Sequence, residues 1–213
     1  MATRATPERT TPRRPYAARM PPTERREQLL DAAQRVIATE GYRGVTIESI
    51  ARTAGVTRPV VYSVFENLGD LLHALLDRQE ARALSQLSRV LPADPGDRDP
   101  DQVVIAGVEA FLGAVAEDPD TWRPILLPPD GTPPLARKRV EQGREAALRQ
   151  LESLAAWGLE RWGGPEALDA ELAARAIQVL GEEAGRLVLS DPEQYPPERL
   201  AGFVKGALAA ISV

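Results

Sequence analysis

Leu29, Ala33, Val36 and Ile37 fall on one face of a 3.6-residue period, with Asp, Gln and Arg between them. Thr23 precedes this run as a candidate N-cap and Gly41 follows Glu40 as a C-terminal glycine, so the pattern predicts a helix over 23–40. Thr46 then caps a short helix to Ala54, and Thr57 caps another to Val64. A longer apolar period runs from Leu68 to Leu91 and stops at Pro92, and PADPGDRDP (92–100) is a loop by composition. Helical periods resume at 101–116, 121–127, 135–162, 167–190 and 197–212, separated by EDPD, PPDGTPP, GGPE and DPEQYPP. No segment alternates apolar and polar residues, so no strand is predicted. The expected fold is all-α with about nine helices.

The stretch TIESIARTAGVTRPVVYSVF (46–65) is the most specific. It encodes two helices of about two turns, each too short to be stable alone. Ile50, Val56, Val61 and Val64 can share one small core with the first helix. Gly55 supplies a left-handed corner, and Ala51 stays small because the third helix crosses over it. The third helix is then left with an exposed face and N-terminus, the shape of a helix-turn-helix. An ordinary αα-corner inside a helical protein is the competing reading of this stretch.

Charge is divided unevenly. Residues 1–66 hold 11 arginines against 7 carboxylates, whereas 67–213 hold 15 Lys and Arg against 24, and the whole chain of 213 residues carries −5. An acidic body with a basic first third suggests that the first third meets a polyanion. Residues 1–22 carry five arginines and five prolines with no apolar period, so a disordered basic arm is expected. It would reach a minor groove or phosphates, or be a solvated tail. The absence of cysteine removes disulfides, a thiolate nucleophile and cysteine-based metal sites. No run approaches the roughly 18 apolar residues of a membrane span, and no apolar stretch follows the N-terminal arginines. A cytoplasmic location is expected.

Residues 25–76, with glycine, Thr-Ile, Ile-Ala, Ala-Gly-Val-Thr-Arg and Tyr-x-x-Phe at set separations, resemble the TetR family of bacterial transcriptional regulators. The resemblance implies a three-helix DNA-binding domain over 23–66 and a larger helical domain for ligand binding and dimerisation over 67–213. It also implies repression of a palindromic operator by a homodimer, relieved by an unknown small molecule. Control by a protein partner, or no ligand response, is the alternative.

Thr46, at the start of the second helix, can hold a phosphate with its hydroxyl and nearby backbone N–H groups. Thr57, Arg58, Pro59 and Val60 form the exposed first turn of the third helix. Arg58 can meet guanine or a phosphate, and Val60 is expected on a thymine methyl. Arg43 and Arg52 are flanking phosphate candidates. The resemblance places the Tyr62 hydroxyl and Ser63 on the DNA backbone. Two departures from the family pattern stand out: Pro59-Val60 replaces a frequent Gly-Thr, and Leu68 stands where a lysine commonly opens the fourth helix.

In the body, Gly181 and Gly185, then Gly202, Gly206 and Ala210, form small-residue faces, with Phe203 on the same last helix. Each interior glycine costs about 1 kcal/mol relative to alanine, which close helix packing offsets. That packing fits a four-helix dimer interface or tight packing within the chain. If the resemblance extends to a pocket, Phe111, Trp122, Leu126 and Trp157 are lining candidates. Trp157 serves equally well packed on a neighbouring helix. Arg123 can meet an acidic ligand or a surface carboxylate. His73 is the only histidine and has no nucleophile motif near it. With no phosphate loop, metal-ligand spacing or paired carboxylates, neither an enzyme, a metal nor a cofactor is expected.

Overall fold

Five of the nine α-helices among the described residues begin on proline, and this sets their boundaries. The computed structural model describes residues 20–162 and 168–211. The helices are α1 Pro22–Glu40, α2 Ile47–Ala54, α3 Arg58–Tyr62, α4 Leu68–Val90, α5 Pro100–Glu117, α6 Pro119–Leu126, α7 Pro134–Trp162, α8 Ala170–Ser190 and α9 Pro197–Ile211. Proline has no N–H to lose in a first turn and its φ is already helical, so it starts helices that it cannot continue. Thr23 therefore lies inside the first turn of α1, whose N-cap is Pro21. Asp99 and Asp118 cap α5 and α6, accepting from the backbone N–H of Gln102 and Thr121.

A single 3-10 turn at Tyr42–Gly44, which the apolar period did not announce, joins α1 to α2. Helix α3 ends at Tyr62 rather than Val64, because the Val64 and Phe65 N–H groups both turn back to the Val61 carbonyl. The basic arm falls on residues 1–19, outside the described residues.

Apolar side chains collect in two cores. One joins Leu29, Leu30, Val36 and Ile37 of α1 to Ile50 and Ala51 of α2, Val61 of α3, Phe65, and Leu71, Ala74 and Leu75 of α4. The other joins Leu112 and Val115 of α5 to Trp122 and Leu126 of α6 and Val188 and Leu189 of α8. Helix α4 reaches both, since Leu87 near its end packs on the second. The seam is held by Arg78 on α4, whose Nη1 donates to Glu27 at 2.9 Å and Asp31 at 2.7 Å, while its Nη2 donates to Gln34 at 3.0 Å. No helix among the described residues is long and apolar enough to cross a membrane.

Candidate DNA-reading surface and body cavity

The α2–α3 corner is built on hydrogen bonds that the sequence dictates. Thr46 Oγ1 accepts from the Ser49 N–H at 3.0 Å, and Ser49 Oγ accepts from the Thr46 N–H at 2.9 Å. This reciprocal cap fixes the start of a two-turn helix. Ser49 Oγ also donates to the Gly44 carbonyl at 2.8 Å, tying the cap to the preceding 3-10 turn. At the other end Gly55 sits at φ 67, ψ 32, and the Val56 N–H closes on the Ala51 carbonyl at 2.9 Å. Nothing lies within 4 Å of a Cβ built on Gly55, so its backbone conformation, not space, demands glycine. Ile50 and Val61 are fully buried behind the corner.

In front of it, Thr57, Arg58, Pro59, Tyr62 and Ser63 are exposed and Val60 is half-buried. Thr57 is the N-cap of α3 without a side-chain capping bond. Arg58 enters no ion pair among the described residues, and the Tyr62 ring is 49% exposed beside it. Ser63 Oγ donates to the Val60 carbonyl at 2.7 Å. Of the flanking candidates, Thr46 spends its hydroxyl on the cap. Arg52 lies 3.6 Å from Glu40. Arg43 rests its stem on the loop after α6, where a Cβ on Gly131 would stand 3.0 Å from Arg43 Cγ.

A cavity of about 140 Å³ opens where α4, α5, α6, α7 and α8 meet. Phe111, Trp122 and Leu126 line it, as do Leu84, Leu87 and Val140. Phe111 and Trp122 pack edge to face with ring centres 5.2 Å apart, and Trp122 Nε1 donates to Gln86 at 2.6 Å. Two candidates are elsewhere. Arg123 donates to the Leu189 carbonyl at 2.9 Å and joins α6 to the end of α8, because the guanidinium finds the free carbonyls of a helix terminus. Trp157 lies outside the cavity lining, stacked under the Arg161 guanidinium at 5.5 Å.

Tyr42, Gln79, Thr132, Arg139, Arg144 and Glu182 line the cavity without having been singled out. For Gln79 a signal existed: it interrupts the apolar stripe Leu72, Leu75, Leu76, Ala83 of α4. For the charged residues there was none, since Arg139 and Arg144 read as solvent-facing positions of a long helix.

The small-residue faces divide. A Cβ on Gly185 would come 2.7 Å from Leu126 Cδ1 and 3.4 Å from the Phe111 ring, so Gly185 serves close packing within the chain and not an outward interface. Gly181, Gly202 and Gly206 have open space at the same test. Around them Leu180 is 69% and Phe203 75% exposed, with Val179 and Ala210 also exposed. On α9 Phe203 thus points to solvent, whereas Ala201 is buried.

An all-α chain that presents a capped bihelical corner, with an exposed recognition turn above a separate apolar core, is a helix-turn-helix DNA-binding transcriptional regulator. The model of bacterial regulatory proteins of the tetR family matches residues 29–75. Over 173 residues the chain is 30% identical to the HTH-type transcriptional activator FasR of Mycolicibacterium smegmatis, covering 81% of this chain and 76% of that one. The chain belongs to the TetR family. Its fold matches a TetR-like regulator from Rhodococcus sp. RHA1, with a TM-score of 0.69 and 24% identity over 90% of this chain and 99% of that one. It also matches FadR of Bacillus subtilis in complex with stearoyl-CoA, with a TM-score of 0.65 and 21% identity over 85% and 96%.

Proposed function

We propose that the chain is a homodimeric repressor released from a palindromic operator when a small molecule occupies the body cavity. The DNA-binding unit is taken as 23–66 and the ligand and dimerisation unit as 67–213. Thr57, Arg58, Pro59, Val60, Tyr62 and Ser63 meet the DNA, flanked by Arg43, Thr46 and Arg52. The observation that carries this reading is the position of α4. It contributes Leu71, Ala74 and Leu75 to the reading unit's core and Leu76, Gln79, Ala83 and Leu87 to the cavity wall. A molecule whose affinity differs between two settings of α4 must shift the reading unit.

Pairing is supported by the apolar outward faces of α8 and α9, where Leu180 and Phe203 would otherwise remain in water. A two-fold axis there would set the two α3 helices against half-sites about 34–36 Å apart. Stearoyl-CoA in FadR supports ligand control in this fold. FasR is an activator by name, and the sign of control depends on where the operator lies relative to the promoter.

The test is to select sites from random duplex DNA with the purified chain, then place the selected site across a reporter promoter. A palindrome and lowered reporter output are expected. Asymmetric sites, or no retained DNA at low salt, would overturn the reading, and raised output would overturn repression alone.

A further inference from the structure

Tyr42 takes part in two packings at once. Half-buried, it rests on the core of the reading unit, and it also lines the body cavity with Leu76 of α4 and Thr132 of the loop before α7. Every other lining residue among those described comes from α4 to α8 or from that loop. Tyr42 is thus the one place where the wall of the cavity belongs to the helices ahead of α4.

Behind the ring, the path to α2 is short. The Val45 N–H donates to the Tyr42 carbonyl at 3.3 Å, and the Gly44 carbonyl accepts from Ser49 Oγ at 2.8 Å. Ser49 Oγ also accepts from the Thr46 N–H at 2.9 Å, so the turn that carries Tyr42 and the cap that starts α2 share one hydroxyl. On the body side, Arg43 lies along Gly131, next in the chain to the wall residue Thr132. Protein cores are close-packed and yield little to compression. A ring pressed from the cavity therefore moves its own turn before it compresses the core behind it.

We infer that the occupant of the cavity bears directly on the Tyr42 ring, and that the bulk of this ring carries occupancy to the α2–α3 corner as a second route beside α4. The inference rests on reading the cavity as the ligand site and the corner as the DNA contact. Only an occupant whose affinity differs between two settings of the ring changes operator affinity by this route.

The chain contains no cysteine, so an introduced thiol is unique. Gly143 lines the cavity on α7, and a Cβ there meets nothing within 4 Å, so Gly143→Cys provides an anchor for an occupant of known length. Ethyl and octyl methanethiosulfonate are the probes. The wall along α7 from Gly143 back to Ala136, nearest the Tyr42 turn, spans about 10 Å, and only the longer chain covers it.

Operator affinity is measured on a site selected with the unlabelled chain. Octyl labelling is expected to change it about tenfold, within the ordinary range for linked sites, and ethyl labelling to change it little. The octyl effect should persist with Tyr42→Phe, which keeps the ring, and shrink to about threefold with Tyr42→Ala. Each ratio compares labelled with unlabelled protein of the same variant, so a change in basal affinity cancels. With Tyr42 intact, nuclear Overhauser contacts between the octyl chain and the Tyr42 ring protons are expected, a readout that needs no change at Tyr42. The inference is overturned by absence of those contacts, by an octyl adduct without effect, or by ethyl acting as strongly as octyl. It is equally overturned if Tyr42→Ala leaves the ratio unchanged or Tyr42→Phe lowers it as far as Tyr42→Ala does. An unlabelled chain that retains no operator overturns the DNA reading first, and the inference with it.

Discussion

Arg78 Nη1 stands 2.7 Å from Asp31 Oδ1, and this contact joins the middle of α4 to the middle of α1. The arginine is 11% exposed at its side chain while Asp31 is about half exposed, so the pair sits at the rim of the seam. Partial solvation weakens such a pair, but the fork that also reaches Glu27 and Gln34 holds one geometry. Arg78→Ala should lower unfolding free energy by about 1–2 kcal/mol, with Arg78→Lys in between. Urea denaturation checks the order, and equal losses for both variants would show that the fork does not matter.

Gly55 at φ 67 carries the corner. Gly55→Ala should cost roughly 1–2 kcal/mol because the left-handed conformation crowds a Cβ, although no neighbour obstructs it. Gly55→Asn should cost less, since asparagine visits that region more readily. Thermal melting orders the three proteins, and a melting temperature unchanged in the alanine variant would contradict the backbone argument.

Arg58 separates two modes of recognition. If it reads guanine, Arg58→Ala should cost about 1–3 kcal/mol and relax preference at one position of the site. If it holds a phosphate, affinity falls evenly over sequences and the salt slope drops by about 1. Titrations at several salt concentrations on selected and altered sites distinguish these. Replacing thymine by uracil tests Val60 in the same assay, where unaltered affinity at every position removes the methyl contact.

Phe203 is exposed on α9 and contributes little to the monomer. Phe203→Glu should leave far-ultraviolet circular dichroism intact while shifting sedimentation to the single chain and weakening operator binding. A dimer that persists in the variant would move the interface elsewhere.

Burial raises the Tyr42 hydroxyl above its ordinary 10.0. The folded state therefore keeps a proton that the unfolded chain loses, so stability is full below pH 10 and declines as pH rises through and beyond it. Tyr42→Phe should flatten that alkaline decline in urea midpoints between pH 9 and 11. A decline of the same size in the variant would assign it to other groups.

The helices and the corner were legible because period, caps and glycine act locally. Thr46, Gly55 and Val61 take the places their neighbours in sequence require. Starts on Pro22, Pro100, Pro119 and Pro134 were set one or two residues late, since proline was read as loop where it opens a helix. The cavity was only partly legible. Phe111, Trp122 and Leu126 are apolar and line it, but so is Trp157, which does not. Gly185 and Gly202 look alike in sequence, and only the presence of Leu126 and Phe111 against one of them tells them apart. Such differences arise between helices far apart in the chain, where a period carries no information.

The turn after α1 leans on the loop after α6. A Cβ on Gly41 would stand 3.4 Å from the Asp130 carbonyl, and Arg43 lies along Gly131. Together with the Arg78 fork this gives the reading unit two separate supports on the body. The seating of the reading unit is therefore shared between α4 and the loop after α6, two elements that α5 and α6 separate in the chain.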